Sequence, residues 1–324
     1  MMGVTRRSML AAPLLLALPA RGPALAQDFP ARAVRLVVPF GAGGITDIVA
    51  RIVAERAAAE LGQPVVVENR AGAGGNIAGE FVARAPADGY TLLMLTGAMA
   101  AVNPVIYPRM PFDPVKDLAP VALAASTPHV LVAHPVVPGA TLAAVIAEAK
   151  REKERFSFGT AGAGSSPHQT RILLSHLTGA ELLDVHFRSG AASVQAVLAG
   201  QVSMTAEATP VIAGHVRAGT LRALAVCAPQ RISLLPEVPT AAEAGLAGLE
   251  NGSISGIAAP AATPAPVLAR LSQAFGAAVA APELRERLLA QGTVALAGDG
   301  AAFRTLIAAE AAKWAPLMQG ITPG

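Results

Sequence analysis

Val34-Arg35-Leu36-Val37-Val38-Pro39-Phe40 is a short β-branched run that predicts a strand over 34–40. A Gly-rich loop follows, then apolar residues recur at helical spacing over 46–61, and Gly62 supplies a stop. The same signals return as a strand over 65–68, a Gly-rich loop at 72–75, a helix to about 84 and a strand over 91–96. Near-continuous apolar strands alternating with helices predict a mainly parallel sheet flanked by helices.

The alternation restarts after 118–135. Helices are expected over 142–150, 168–177, 191–198 and 211–218, and strands over 156–159, 183–187, 202–206 and 222–227. Three more helices are expected over 266–279, 282–291 and 301–318. The pattern predicts two α/β lobes, one over 27–125 and one over 126–229. Residues 230–324 return to the first lobe with the C-terminal helices. Residues 118–147 contain no Asp, Glu, Lys or Arg and are long enough to span a bilayer. Pro120, Pro128, Pro135 and Pro138 interrupt them, so a buried strand pair with a crossing segment is expected instead.

Composition narrows the class. The 324 residues are 53% hydrophobic and 15% charged, which excludes a disordered chain. The single cysteine, Cys227, excludes an intramolecular disulfide framework and a Cys-based zinc cage. Residues 1–26 read as a cleaved export signal. Arg6-Arg7 precede an apolar stretch over 9–20, and Ala24-Leu25-Ala26 offers a small-residue cleavage site. Thr5-Arg6-Arg7-Ser8-Met9-Leu10 fits twin-arginine export as well as Sec export. The expected destination is the periplasm. Beyond residue 26, 22 basic residues face 22 acidic ones, so no bulk field favours nucleic acid or an anionic membrane.

Two Gly-rich loops are the candidate chemistry. Gly41-Ala42-Gly43-Gly44-Ile45-Thr46-Asp47 lies between a strand and a helix, where unpaired N–H groups suit a carboxylate or phosphate. For a lone loop, a plain tight turn with Thr46 or Asp47 capping the helix is the better account. A dinucleotide site is disfavoured, although Glu68 ends the next strand, because Thr46 replaces the third glycine of the fingerprint. Gly162-Ala163-Gly164-Ser165-Ser166-Pro167-His168 is the second lobe's counterpart. Ser165 is not in a nucleophile elbow and nothing pairs His168 with it as a base, which leaves a hydrolase a weak alternative. The six histidines show no metal-ligand spacing. Glu207 interrupts an apolar strand end, a place where a side chain faces the ligand crevice or pairs with an arginine.

An ordered set of motifs resembles the Bug-type periplasmic solute receptors, the binding components of tripartite tricarboxylate transporters. The set includes Val37-Val38-Pro39-Phe40 with Ala42-Gly43-Gly44 and Thr46-Asp47, and Gly62-Gln63-Pro64-Val65-Val66-Val67-Glu68-Asn69-Arg70 with Gly72-Ala73-Gly74-Gly75-Asn76. It continues through Ala87-Asp88-Gly89-Tyr90-Thr91, Asp113-Pro114-Val115-Lys116-Asp117-Leu118, Gly159-Thr160-Ala161-Gly162 and Leu235-Pro236-Glu237-Val238-Pro239-Thr240. The resemblance implies a type II-like, two-lobed periplasmic binding protein without cofactor or catalysis. It would capture a small organic acid or amino acid and deliver it to the integral membrane components of such a transporter. A sensor protein is the alternative partner.

By motif, the resemblance places ligand contacts at Phe40, Gly43, Gly44, Thr46, Thr96 and Gly97 in the first lobe. In the second lobe it places them at Gly162, Ser165, Ser166, His168, Phe187, Arg188 and Glu207. Four departures bear on specificity. Phe187 stands where the family commonly has Tyr, Glu207 where Asp is usual, and Pro167 where Gly is frequent. Ser253-Ile254-Ser255-Gly256 replaces a common aromatic pair.

Overall fold

A computed structural model describes residues 29–152 and 155–322; the expected export signal lies outside the described residues. The chain begins with β1 (Val34–Val38), α1 (Ile45–Leu61), β2 (Val65–Asn69), α2 (Asn76–Ala83), β3 (Thr91–Thr96), α3 (Gly97–Ala101) and α4 (Asn103–Ile106). Next come β4 (Leu118–Ala133), α5 (Leu142–Arg151), β5 (Ser157–Thr160), α6 (Ser166–Thr178), β6 (Leu183–His186), α7 (Gly190–Leu198) and β7 (Met204–Ala208). It closes with α8 (Thr209–Arg217), β8 (Arg222–Val226), β9 (Gly252–Pro260), α9 (Ala265–Ala280), α10 (Pro282–Leu289), β10 (Val294–Ala295) and α11 (Gly300–Met318).

Local chemistry sets several boundaries. Gly62 ends α1 in the left-handed conformation (φ 72°), and its N–H returns to the Ala58 carbonyl. Gly179 ends α6 in the same way. Thr141, Ser189 and Asp299 each accept a backbone N–H at the start of α5, α7 and α11.

The strands run in the order β2-β1-β3-β9-β4-β7-β5-β6, with β8 and β10 also paired to β4. In the first lobe β2, β1 and β3 are parallel, and β9 lies antiparallel between β3 and the N-terminal half of β4. In the second lobe β6, β5 and β7 are parallel, and β7 and β8 run antiparallel to the C-terminal half of β4. One 16-residue strand therefore belongs to both lobes, where the sequence predicts a strand pair with a crossing segment. The prolines do not break it. Pro120 sits beside a register shift, and Pro128 stands where pairing passes from β9 to β7.

Four apolar clusters form the core. Leu36, Val53, Leu92 and Phe275 pack on one face of the first lobe, and Val37, Leu93, Leu95 and Phe303 on the other. Leu131, Phe158 and Leu174 pack on one face of the second lobe, and Val130, Val132 and Val197 on the other. α11 serves both lobes. Phe303 and Ile307 lie in a first-lobe cluster, whereas Trp314 and Met318 lie in a second-lobe one. Among the described residues no helix is long and apolar enough to cross a membrane.

Candidate functional site between the lobes

Each Gly-rich loop meets the opposite lobe across the gap between them. The Gly41 N–H donates to the Arg188 carbonyl at 2.9 Å. The Tyr107 hydroxyl donates to the Ala163 carbonyl at 3.1 Å. A Cβ at Gly41 would stand 3.2 Å from the Ser189 Cβ, so only glycine allows this approach without displacement.

Beside these contacts lies a cavity of about 20 Å³, the room of about one ordered water. Phe40, Gly44, Ile45 and Thr46 line it from the first lobe. Ala161, Ser165, Ser166, Pro167, Gly190 and Glu207 line it from the second, and Ser253 on β9 completes it. Among the described residues, no Arg, Lys or His lines it.

Two helices start at this wall without side-chain caps: α1 after Gly44 and α6 after Ser165. Their first N–H groups and positive dipole ends favour an anionic oxygen. Ser165 and Glu207 are each 1% exposed. Ser165 Oγ and Glu207 Oε1 both lack a hydrogen-bond partner within the protein. Buried polar atoms are normally satisfied, so two orphans in one cavity mark a place for a ligand or water. Burial pushes the Glu207 carboxyl up to about 8, against the Ala208 N–H that favours its charged form.

Asp47 shapes the first loop. Its carboxylate accepts from the Gly43 N–H at 3.0 Å, from Arg51 at 2.9 Å and from Asn69 at 2.9 Å. Burial raises its pKa, but these bonds outweigh burial and hold it below the usual carboxylate value. Asn69 also donates to the Phe40 carbonyl at 2.9 Å.

A buried network joins the second loop to β4 and β9. The His129 Nδ1 lies 2.8 Å from Thr170 Oγ1, and its Nε2 lies 3.0 Å from Ser253 Oγ. Ser253 Oγ is in turn 2.8 Å from Ser166 Oγ, and Asn251 donates to the Ser166 carbonyl at 2.9 Å. Complete burial lowers the His129 pKa to about 3, so the ring is neutral.

Of the residues expected from sequence, Phe40, Gly44, Thr46, Ser165, Ser166 and Glu207 line the cavity. Gly43, Gly162, Phe187 and Arg188 lie at the loop-to-loop contact around it. A Cβ on Gly43 would touch Ala191, Gly162 lies beside Gly74, the Phe187 carbonyl faces Gly162, and Arg188 contributes its carbonyl. Three others stand outside the lining. Thr96 caps α3 by accepting from the Met99 N–H, and Gly97 lies beside Ile254. His168 is buried behind the loop. Its Nδ1 accepts from the Gly164 N–H at 3.0 Å, and its Nε2 lies 3.3 Å from Asp184. It braces the loop instead of facing the cavity. Gly190, Ser253 and Tyr107 were not expected as site residues; only the Ser253-Ile254-Ser255-Gly256 departure gave a signal for one of them.

A groove of about 650 Å³ around Phe81 is larger but open, and its Arg32, Arg35, Arg70 and Arg84 are paired with Asp88, Glu68 and Glu80. Among the described residues, it holds no unpartnered buried polar side-chain atom.

The family model described as "Tripartite tricarboxylate transporter family receptor" matches residues 49–322. The chain belongs to this receptor family. It is a family of solute-binding receptors, not enzymes. The receptor is 34% identical to Protein BugT of Bordetella pertussis over 298 residues, 92% of this chain and 91% of that protein. Among solved structures it is similar to Rpa4515 of R. palustris with adipate, at 33% identity and TM-score 0.86, covering 90% of this chain and 97% of that one. It is also similar to MatC of Rhodopseudomonas palustris with bound malate, at 32% identity and TM-score 0.85, covering 90% of this chain and 100% of that one. These neighbours support the two-lobed periplasmic binding protein architecture.

Proposed function

We propose that the receptor captures a small organic carboxylate between its lobes and delivers it to the membrane components of a tripartite tricarboxylate transporter. One observation carries the reading: a cavity at two uncapped helix starts contains the unpartnered Ser165 Oγ and Glu207 Oε1. The N–H groups there replace water around an anionic oxygen without a buried cation. Adipate and malate in the neighbouring structures point to the same ligand class. The described cavity is too small for such a molecule, so the lobes must part to admit it and settle around it. Residues 1–26 would direct export to the periplasm and be removed there.

Thermal unfolding against a panel of mono-, di- and tricarboxylates, amino acids and aromatic acids tests the reading. A ligand at about 100 times its dissociation constant adds roughly 2.7 kcal/mol of stability. Stabilisation by one carboxylate class is expected. Stabilisation by none of them would overturn the reading.

A further inference from the structure

Among the described residues, Glu207 is the one ionisable side chain lining the cavity. Among the described residues, the groups around it offer no countercharge. Its partner across the β7–β4 ladder is Val130. α7 lays Gly190 against both carboxyl oxygens, so closely that a Cβ there would overlap them. α6 brings Ser165, whose Oγ is also unpartnered. His129, next along β4, has both ring nitrogens engaged by Thr170 and Ser253. Asp47 on α1 is paired with Arg51.

An ionised Glu207 would therefore meet a ligand carboxylate at a buried position without a cation. Two uncompensated buried charges of one sign are strongly disfavoured, whereas two carboxyl groups sharing one proton form a strong hydrogen bond. Resting on the carboxylate reading above, we propose that Glu207 recognises the ligand as the neutral acid, donating its proton to a ligand carboxylate oxygen. Capture is then linked to proton binding. The proton comes from solvent, stays on the Glu207 oxygen and returns to solvent on release. The raised affinity of Glu207 for its proton in the closed cavity agrees with this.

Calorimetric titration with adipate and with malate, from pH 6 to 9.5 in buffers of differing ionisation enthalpy, tests the linkage on the unmodified protein. Proton uptake on binding is expected, with Kd rising about tenfold per pH unit above the Glu207 midpoint. Glu207→Gln, whose amide donates at every pH, is expected to lose this pH dependence; its melting temperature checks that it folds. Binding with no proton uptake and a flat Kd would overturn the inference while leaving the carboxylate reading intact. Tighter binding of aspartate than of malate, lost in Glu207→Gln, would also overturn it, because it would set an ionised Glu207 against an ammonium group. If neither acid binds and the carboxylate panel is silent, the carboxylate reading falls and the inference with it.

Discussion

The Glu207 carboxyl group rests on the backbone of Gly190, with both oxygens inside the volume that a Cβ there would occupy. Glycine at the start of α7 therefore makes room for the Glu207 carboxyl group, whatever its own φ, and a Cβ there would have to push that group aside. Gly190→Ala is expected to displace the carboxyl group, lower stability by about 1–3 kcal/mol and weaken ligand binding. Urea unfolding and calorimetric titration of the same variant separate the two effects.

Tyr107 ties the lobes together outside the cavity through the Ala163 carbonyl. Tyr107→Phe removes that bond and nothing else of comparable size. A hydrogen bond of this kind is worth about 0.5–1.5 kcal/mol, so ligand affinity should fall about two- to tenfold. Isothermal titration measures the fall. An unchanged Kd would show that the contact does not favour the closed arrangement.

The loop brace at Asp47 gives a pH signature. Its folded pKa lies below the ordinary aspartate value, so its stabilising share is complete above the unfolded value and is lost as pH falls through the folded one. Asp47→Asn should lower stability by about 1–2 kcal/mol at pH 7. The gap between variant and parent should narrow below pH 4, which chemical denaturation at pH 7 and pH 3 resolves.

His129 titrates over a different window. Its pKa falls from 6.5 to about 3 on folding, so the unfolded chain takes up a proton first. Stability therefore declines as pH drops from 6.5 towards 3, on the order of 3 kcal/mol by pH 4 from this group alone. Denaturant midpoints across that range should fall less steeply in His129→Gln. Parallel curves for the two proteins would contradict the assignment.

Much of the fold was legible because local signals and tertiary needs coincide. The apolar run before Gly41 does form β1, and Gly62 does stop α1. β9 gave little signal because its small residues answer to neighbours that sequence does not reveal. A Cβ at Gly252 would strike the Thr127 carbonyl, and one at Gly256 the Ala122 carbonyl and the Phe303 ring. β4 was obscured by prolines that a long strand tolerates at a register shift and at a change of partner. The cavity shows the same division. Glycine-rich helix starts announce Gly44 and Ser165, and a lone acid in an apolar strand announces Glu207. The direction of a ring is not announced. His168 sits at the right place on α6, but Asp184 and the Gly164 N–H hold its imidazole behind the loop. Ser253 arrives from 87 residues beyond Ser166, along a strand that the pattern did not show.

β4 passes from one lobe to the other without an interruption at the crossing. From Ala125 to Pro128 it pairs residue by residue with β9, and from His129 to Ala133 with β7. Beyond the register shifts that precede Ala125, the alternation of its side chains therefore keeps one phase through the crossing and into the second core. Removing a single residue at the crossing would exchange Leu131 and Ala133 with Val130 and Val132 across the second sheet, turning that lobe over relative to the first. The two halves of the receptor are thus in step along the chain. Length changes can be absorbed in the surface loops of either lobe, but not where the lobes join.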